Sequence, residues 1–348
     1  MKFGIFDHLE RRRDVPIDQQ YRDRLDLASQ ADKSGFYCYH VAEHHHSPLC
    51  LAPNQSVFLA AVAQRTEHLR FGPLVYVLPL REPVRLIEEI CMVDNLSNGR
   101  FQIGIGRGTG GGQEFAMWGG NPEENDRRFE EIFQILMKGL TNDFLSFEGQ
   151  HFTLRDLWME LKPKQKPHPP FWYAGNPVHA GEFGCNFVCF GSVADMPEAA
   201  SRYLASWHKQ DTENDPTLPH VEKPLYGART MVYLADTDKE AIERAKSAYA
   251  VYSSNYEKPI PPGAVPQPRP AGPRNIYSPG AADFDTAREW ERVIAGSPDT
   301  VSEYVERYCS DSTCNYLLTS FQWGDITHEE ASSSMQLFAS EIMHRFSD

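Results

Sequence analysis

Segments with the period of a strand and segments with the period of a helix alternate along this chain. That order constrains the fold more tightly than any single motif. KFGIFDH (2–8) reads as a strand. Residues 17–35 read as a helix, with apolar positions at Ile17, Tyr21, Leu25 and Ala28 and a terminating Gly35. FYCYHVAE (36–43) is aromatic and β-branched, hence a strand, and 54–66 is a helix with Asn54 at its N-cap. Strand 69–78 is followed by helix 82–99, with Pro83 near its start, then by strand 100–106, helix 123–140 and a hairpin around Glu148–Gly149. A second set runs strand 170–175, strand 186–190, helix 196–210, strand 225–234, helix 237–252, strand 315–320 and helix 327–345. About eight strands, nearly all separated by helices, imply a parallel sheet. In 348 residues they predict an α/β fold, a closed (β/α)8 TIM barrel with insertions, with 1–348 forming a single domain. Barrel sites lie at the C-terminal ends of strands, so residues just after each strand become the candidates.

Composition narrows the class. A net charge of −14 argues against nucleic acid or an anionic membrane as the main partner. No apolar run reaches membrane-spanning length and the start lacks a signal-peptide pattern, so a cytoplasmic protein is expected. Seven cysteines without a CxxC pair read as reduced, buried thiols. One stretch breaks the alternation: 255–283 is dense in proline and glycine, and reads either as a linker or as a lid over the barrel mouth.

Two stretches carry chemistry. YHVAEHHHSP (39–48) contains HVAEH, which fits the inverted zincin motif H-x-x-E-H. That motif needs a helix, and these residues end a strand. On a strand His40 and His44 lie about 13 Å apart at ~3.3 Å per residue, so they cannot share one zinc, and no metal is expected. What remains is either a solvated surface or a histidine placed for proton transfer. The second stretch, GIGRGTGGG (104–112), matches G-x-G-x-x-G through Gly106, Gly108 and Gly111. It follows the fourth strand rather than the first and opens no helix, so it does not indicate a Rossmann fold. Glycines that admit close backbone approach, with the forked donor Arg107 among them, suit the phosphate of a cofactor.

With AEHHHSP, VLPLREPVRLIEEICMVDNLSNGRFQIGIGRG, WGGNPEENDRRFEE, PHPPFWYAG and the C-terminal GDITHEEASSSMQLFASEIMHRF in this order, the chain resembles the bacterial luciferase-like flavin-dependent monooxygenases. The resemblance touches most of the chain, missing mainly 200–285. It implies a luciferase-like barrel that binds reduced FMN at the C-terminal ends of its strands. It also implies a two-component reaction with O2 through a C4a-(hydro)peroxyflavin, oxygenating a small or medium-sized organic substrate. A separate NAD(P)H:flavin reductase supplies the FMN. The catalytic histidine falls on His44, with Glu43 orienting it or the strand end. Arg107 falls on the residue that grips the FMN phosphate, between Gly106 and Gly108, and Gly175 and Asn176 fall on the phosphate loop, with His179 as a further contact. A non-proline cis peptide under the flavin falls at Leu74–Val75, next to Tyr76. Phe6, Asp7, His8, His45, Tyr76 and Trp323 stand where strand ends face the substrate, a mixed aromatic and polar set that suits an aromatic or medium-sized substrate. The 255–283 stretch falls on a mobile lid over the active site. A homodimer through the second and third helices is implied too. Two departures stand out. His46 replaces a common aromatic residue. Gly106 replaces the reactive cysteine of the luciferase catalytic subunit, so light emission from a long-chain aldehyde is not implied. An F420-dependent oxidoreductase working by hydride transfer is the alternative, and a non-catalytic flavin-binding protein is another.

Overall fold

The fold is seen in a computed structural model, which describes residues 1–108, 115, 117–189, 191–209, 219, 221, 223–256 and 283–346. In chain order the elements are β1 (Lys2–Asp7), α1 (Ile17–Lys33), β2 (Cys38–Val41), α2 (Gln55–Arg65), β3 (Arg70–Pro73), β4 (Tyr76–Val77), α3 (Pro83–Leu96) and β5 (Ile103–Gly106). Then come α4 (Asn125–Thr141), β6 (Phe144–Glu148), β7 (Thr153–Trp158), β8 (Phe171–Ala174), α5 (Pro177–Glu182), β9 (Asn186–Cys189) and α6 (Met196–Trp207). The last are β10 (Tyr226–Leu234), α7 (Asp238–Asn255), α8 (Phe284–Glu289), β11 (Val293–Gly296), α9 (Pro298–Asp311), β12 (Tyr316–Ser320) and α10 (His328–Phe338).

The main sheet runs β3-β2-β1-β12-β10-β9-β8-β5-β4, and its pairings are parallel. β3 and β4 are two halves of one strand position. β3 pairs with β2, and β4 pairs with β5. The ring closes across this split: Phe71 and Phe101 form a parallel bridge, and Gln102 N–H donates to Phe71 O at 2.9 Å. The result is the expected (β/α)8 barrel. The hairpin at 148–149 is β6–β7, which lies outside the ring.

Large side chains fill the barrel interior, as a closed parallel barrel requires. Trp172, Tyr316 and His40 are fully buried there. His40 Nε2 meets Tyr316 Oη at 3.1 Å, and its ring lies edge-on to Trp172 at 4.9 Å. Trp172 Nε1 donates to Gln102 Oε1 at 2.9 Å. Two glycines make this filling possible. A Cβ on Gly4 would stand 1.8 Å from Tyr316 Oη, and one on Gly104 would stand 2.1 Å from Pro73 O. Helices seal the outside with one apolar face each. Phe58, Leu59 and Val62 of α2 and Leu86, Ile87 and Ile90 of α3 are buried in this way.

The structure departs from the sequence reading in several places. Strand 69–78 is broken at 74–75. The stretch 284–311, left unassigned in sequence, holds α8, β11 and α9, and β11 extends the sheet beside β10. Helix 196–210 stops at Trp207. Of the stretch expected to form a lid, residues 257–282 lie outside the described residues. Among the described residues, no helix is long and apolar enough to cross a membrane.

Candidate active site

The histidine run leaves β2 at the barrel mouth and turns there. His44 and His45 are half-buried, while His46 is exposed with a positive φ of 47°. His44 faces His8, which follows β1, with ring centroids 5.5 Å apart and planes 34° from parallel. His8 also meets Phe6 edge-on at 4.8 Å, Tyr252 at 5.9 Å and Tyr256 at 6.3 Å. Burial pushes the His8 pKa well down, and the charges of Arg229 and His44 push it further, so its ring is neutral. Trp323, also expected near the substrate, is buried 6.5 Å from Tyr252. Phe6, His8 and His44 therefore belong to one cluster of rings, with Trp323 beyond Tyr252.

Glu43 is tied to His45 rather than to His44. Its Oε1 takes His45 Nε2 at 2.9 Å. Its Oε2 accepts from Arg81 Nη2 (2.5 Å), Val77 N–H (3.1 Å) and Gln55 Nε2 (3.2 Å). Burial alone would raise this carboxyl's pKa, but the His45 bond, the Arg81 charge and the Val77 amide outweigh it and hold the pKa below the ordinary range. An ionised, four-coordinated carboxylate is a poor proton carrier and a good anchor. Glu43 is thus a positioning residue that fastens the end of β2 to the split strand. His45 also lies edge-on to Trp118 at 4.5 Å.

The Leu74–Val75 bond is cis. Gln55 Nε2 donates to Val75 O at 3.1 Å and so links this bond to the Glu43 cluster. Leu74 packs into the barrel interior with Phe6 and Trp172. Tyr76 turns its side chain outward, with its hydroxyl 2.7 Å from Ser56 Oγ of α2 and Arg81 5.0 Å above its ring. Any contact from Tyr76 to a ligand in the mouth would therefore come from its backbone. Gly106 gives Val75 its room: a Cβ there would stand 2.5 Å from Val75 Cγ2. Gly108 has a φ of +75°, which favours glycine.

Beyond β5 a second cluster forms. Arg107 Nη1 meets His179 Nδ1 at 3.0 Å, and its Cζ lies 5.0 Å over Phe129. Its Nε lies 3.3 Å from Asp126 Oδ1, an ion-pair distance, yet among the described residues no acceptor meets that N–H with hydrogen-bond geometry. Burial lowers the His179 pKa and Arg107 lowers it further, so the imidazole can accept from the guanidinium. Gly175 has a φ of 108°. Asn176 caps α5, its Oδ1 accepting from Val178 N–H at 2.9 Å and His179 N–H at 3.4 Å. A guanidinium with an unfilled N–H beside a short helix start fits an anionic group such as a phosphate.

Sequence reasoning missed several residues of the pocket. Arg229 of β10 is buried, 5.0 Å over the Phe6 ring, and donates to Ser320 Oγ at 3.1 Å and to Tyr252 Oη at 3.5 Å. Its signal was available: a lone charge inside the apolar strand YGARTMVYL. Glu10 is buried too. Its Oε2 accepts from Asn255 Nδ2 at 2.8 Å and Gly324 N–H at 3.1 Å, and burial raises its pKa to about 7 despite those bonds. No pattern in HLERRR singles Glu10 out.

The family model described as luciferase-like monooxygenase matches residues 1–312. The chain belongs to this family. A Sinorhizobium fredii protein of uncharacterised function, y4wF, is 34% identical over 99% of this chain and 97% of its own. The oxygenase component of the flavin-dependent trigonelline monooxygenase of Acinetobacter baylyi is 26% identical, covering 100% of this chain and 96% of that one. Among solved structures, the oxygenating constituent of 3,6-diketocamphane monooxygenase from Pseudomonas putida, in complex with FMN, superposes with a TM-score of 0.78 at 20% identity, over 99% of this chain and 98% of that one. Membership of the luciferase-like monooxygenases accounts for the sheet order. The placement of His44 and Arg107 either side of the split strand is a property of this chain's own geometry.

Proposed function

We propose that this protein is the oxygenase component of a two-component system, using reduced FMN and O2 to oxygenate an organic substrate. The observation that carries the reading is the pairing of two unlike clusters across one strand position. His44 follows β2, Arg107 follows β5, and only the β3–β4 position separates them in the sheet. Arg107, with His179 and the Gly175–Asn176 turn, would hold the FMN phosphate. His44 would face the ring. Bound reduced FMN supplies the electrons that activate O2.

The protein's own residues do three things. His44 holds or delivers a proton at the mouth. Phe6, His8, Tyr252 and Tyr256 wall off water beside it. Glu43, through Arg81, Gln55 and Val77, fixes the strand end that carries His44. A separate NAD(P)H:flavin reductase is the partner this reading requires. Exposed Val57 on α2 and Met92 and Leu96 on α3 support a homodimer through those helices.

The test is anaerobic equilibrium binding. Reduced FMN is expected to bind more tightly than F420, and Arg107→Ala is expected to weaken reduced FMN roughly 10- to 100-fold, the loss of a charge-assisted phosphate contact. Tighter binding of F420, or an Arg107→Ala variant that binds reduced FMN as before, would overturn the reading in favour of hydride transfer or another flavin site.

A further inference from the structure

We propose that Glu10 is a positioning residue that clasps the end of α7 against the histidines of the barrel mouth, and that its ionisation releases that end. The clasp stands on its own hydrogen bonds. Its bearing on oxygen chemistry rests on the oxygenase reading.

Glu10 joins three segments at one carboxylate. It follows β1, and its Oε2 accepts from Asn255 Nδ2 at 2.8 Å, at the end of α7, and from Gly324 N–H at 3.1 Å, after β12. Asn255 also reaches the loop of the histidine run, where its carbonyl accepts from Ser47 Oγ at 3.5 Å. Tyr252, in the last turn of α7, and Tyr256, just beyond it, have hydroxyls 2.9 Å apart and rings against His8. His8 in turn faces His44. The position of the helix end therefore decides which rings stand beside the two histidines.

The sides of the clasp differ in firmness. The β1 exit is fixed by bonds of its own: Leu9 N–H donates to Asp7 Oδ1 at 2.7 Å, Leu51 N–H to Leu9 O at 2.9 Å and Arg11 N–H to Pro48 O at 2.7 Å. The β12 exit is packed tightly, because a Cβ on Gly324 would stand 2.0 Å from Ala248 O. That contact lies about two turns before the end of α7. At the end itself the helix tightens, with Tyr256 N–H donating to Ser253 O at 3.2 Å. Helix ends open at low cost, so this is the side that yields.

Glu10 is poorly prepared to carry charge. It is 2% exposed, and its Oε1 has no hydrogen-bond partner among the described residues. Burial raises its pKa to about 7; Asn255, Gly324 and the charge of Arg24 in α1 oppose the rise, and Asp7 of β1 adds to it. From α7 the phenols of Tyr252 and Tyr256 face the same charge, and His8 beside them is neutral. A glutamate released to water ionises near 4.5, while the clasped one holds its proton to about 7. Opening therefore becomes easier as pH rises between those values and levels off above them. In the oxygenase reading, release admits water beside His44, so Glu10 sets the pH above which the mouth is wet.

The experiment is hydrogen–deuterium exchange of the full chain, read by mass spectrometry on peptides of α7 and α3 and corrected for intrinsic exchange. The end of α7 is expected to exchange ahead of α3, and to lose roughly ten-fold or more in protection between about pH 5.5 and about pH 7.5. Glu10→Gln, which cannot ionise, is expected to keep its protection level across that range. Asn255→Ala is expected to loosen the helix end already at about pH 5.5, and it carries the test should Glu10→Gln fail to fold. Protection of the helix end that does not change with pH would overturn the proposal. So would a Glu10→Gln variant that follows the wild type, an Asn255→Ala variant as protected as the wild type, or a helix end that exchanges only as fast as α3. Reduced-FMN binding by the wild-type protein is read separately. If it is absent while the exchange result holds, the oxygenase reading fails and the clasp stands.

Discussion

His40 and His44 lie four residues apart where β2 leaves the barrel interior, and their surroundings differ completely. His40 is sealed between Trp172 and Tyr316, and burial drives its pKa down to about 3. His44 is half-buried at the mouth, ring to ring with His8. Residue type does not decide the role here. Depth along the strand does: the interior uses an imidazole as a packed, hydrogen-bonded block, and the mouth leaves one where a ligand can reach it. The same contrast separates carboxylates. Glu43 is buried among donors and stays ionised, whereas Glu10 is buried among fewer donors and holds its proton to about pH 7.

The comparison breaks first at Glu43, which joins the two depths. Glu43→Ala leaves the Arg81 guanidinium and the Gln55 and Val77 donors without their acceptor. It is expected to cost up to about 5 kcal/mol in urea unfolding, the range for removing one partner of a buried pair. Because the native carboxyl sits below its ordinary pKa, the wild-type advantage is full above that ordinary range and is lost as pH falls through the native value. An equally stable Glu43→Ala protein would show that the cluster is not an anchor.

The two histidines give the next effect. His40→Ala empties a fully buried ring site and removes the Tyr316 bond, for a loss of about 4 kcal/mol. His44→Ala is expected to change stability by no more than about 0.5 kcal/mol, as for a site outside the packed core. Equal losses at both positions would erase the distinction between interior and mouth.

Glu10 gives the sharpest sign. An unfolded glutamate releases its proton near 4.5, while the native one holds it to about 7. The native state therefore loses stability as pH rises between those values, by roughly 3 kcal/mol in full. Glu10→Gln mimics the protonated acid, so it is expected to be near neutral at about pH 5 and stabilising at about pH 8 in thermal melts. A variant that destabilises equally at both values would contradict the assignment.

The barrel was legible because its pattern repeats: strand, helix and turn residues agree over most of the chain. The cis bond at 74–75 and the choice of His44 among its neighbours were legible only through the family resemblance, since propensity says nothing of them, whereas Arg107 among its glycines already read as a phosphate donor from the residues alone. β11 escaped because VIAG is four residues long and, among the described residues, pairs only with the extension of β10. Such a run carries no period of its own. The Arg81–Gln55–Glu43 cluster escaped because its members are scattered along the sequence and meet only when β2, α2 and the split strand pack together. His45 was expected at the substrate side with its role open; the turn after β2 brings it to Glu43 and Trp118.

The central claim is that this mouth holds reduced FMN with His44 controlling what O2 does there. Rapid mixing of anaerobic protein and reduced FMN with oxygenated buffer, followed by the return of oxidised-flavin absorbance, tests it without knowledge of the substrate. The account predicts that the wild-type protein slows that return at least about ten-fold relative to free flavin, and that His44→Ala, binding reduced FMN as before, brings it back towards the free rate. Reoxidation at the free-flavin rate on the wild-type protein, under conditions where the flavin is bound, would contradict it.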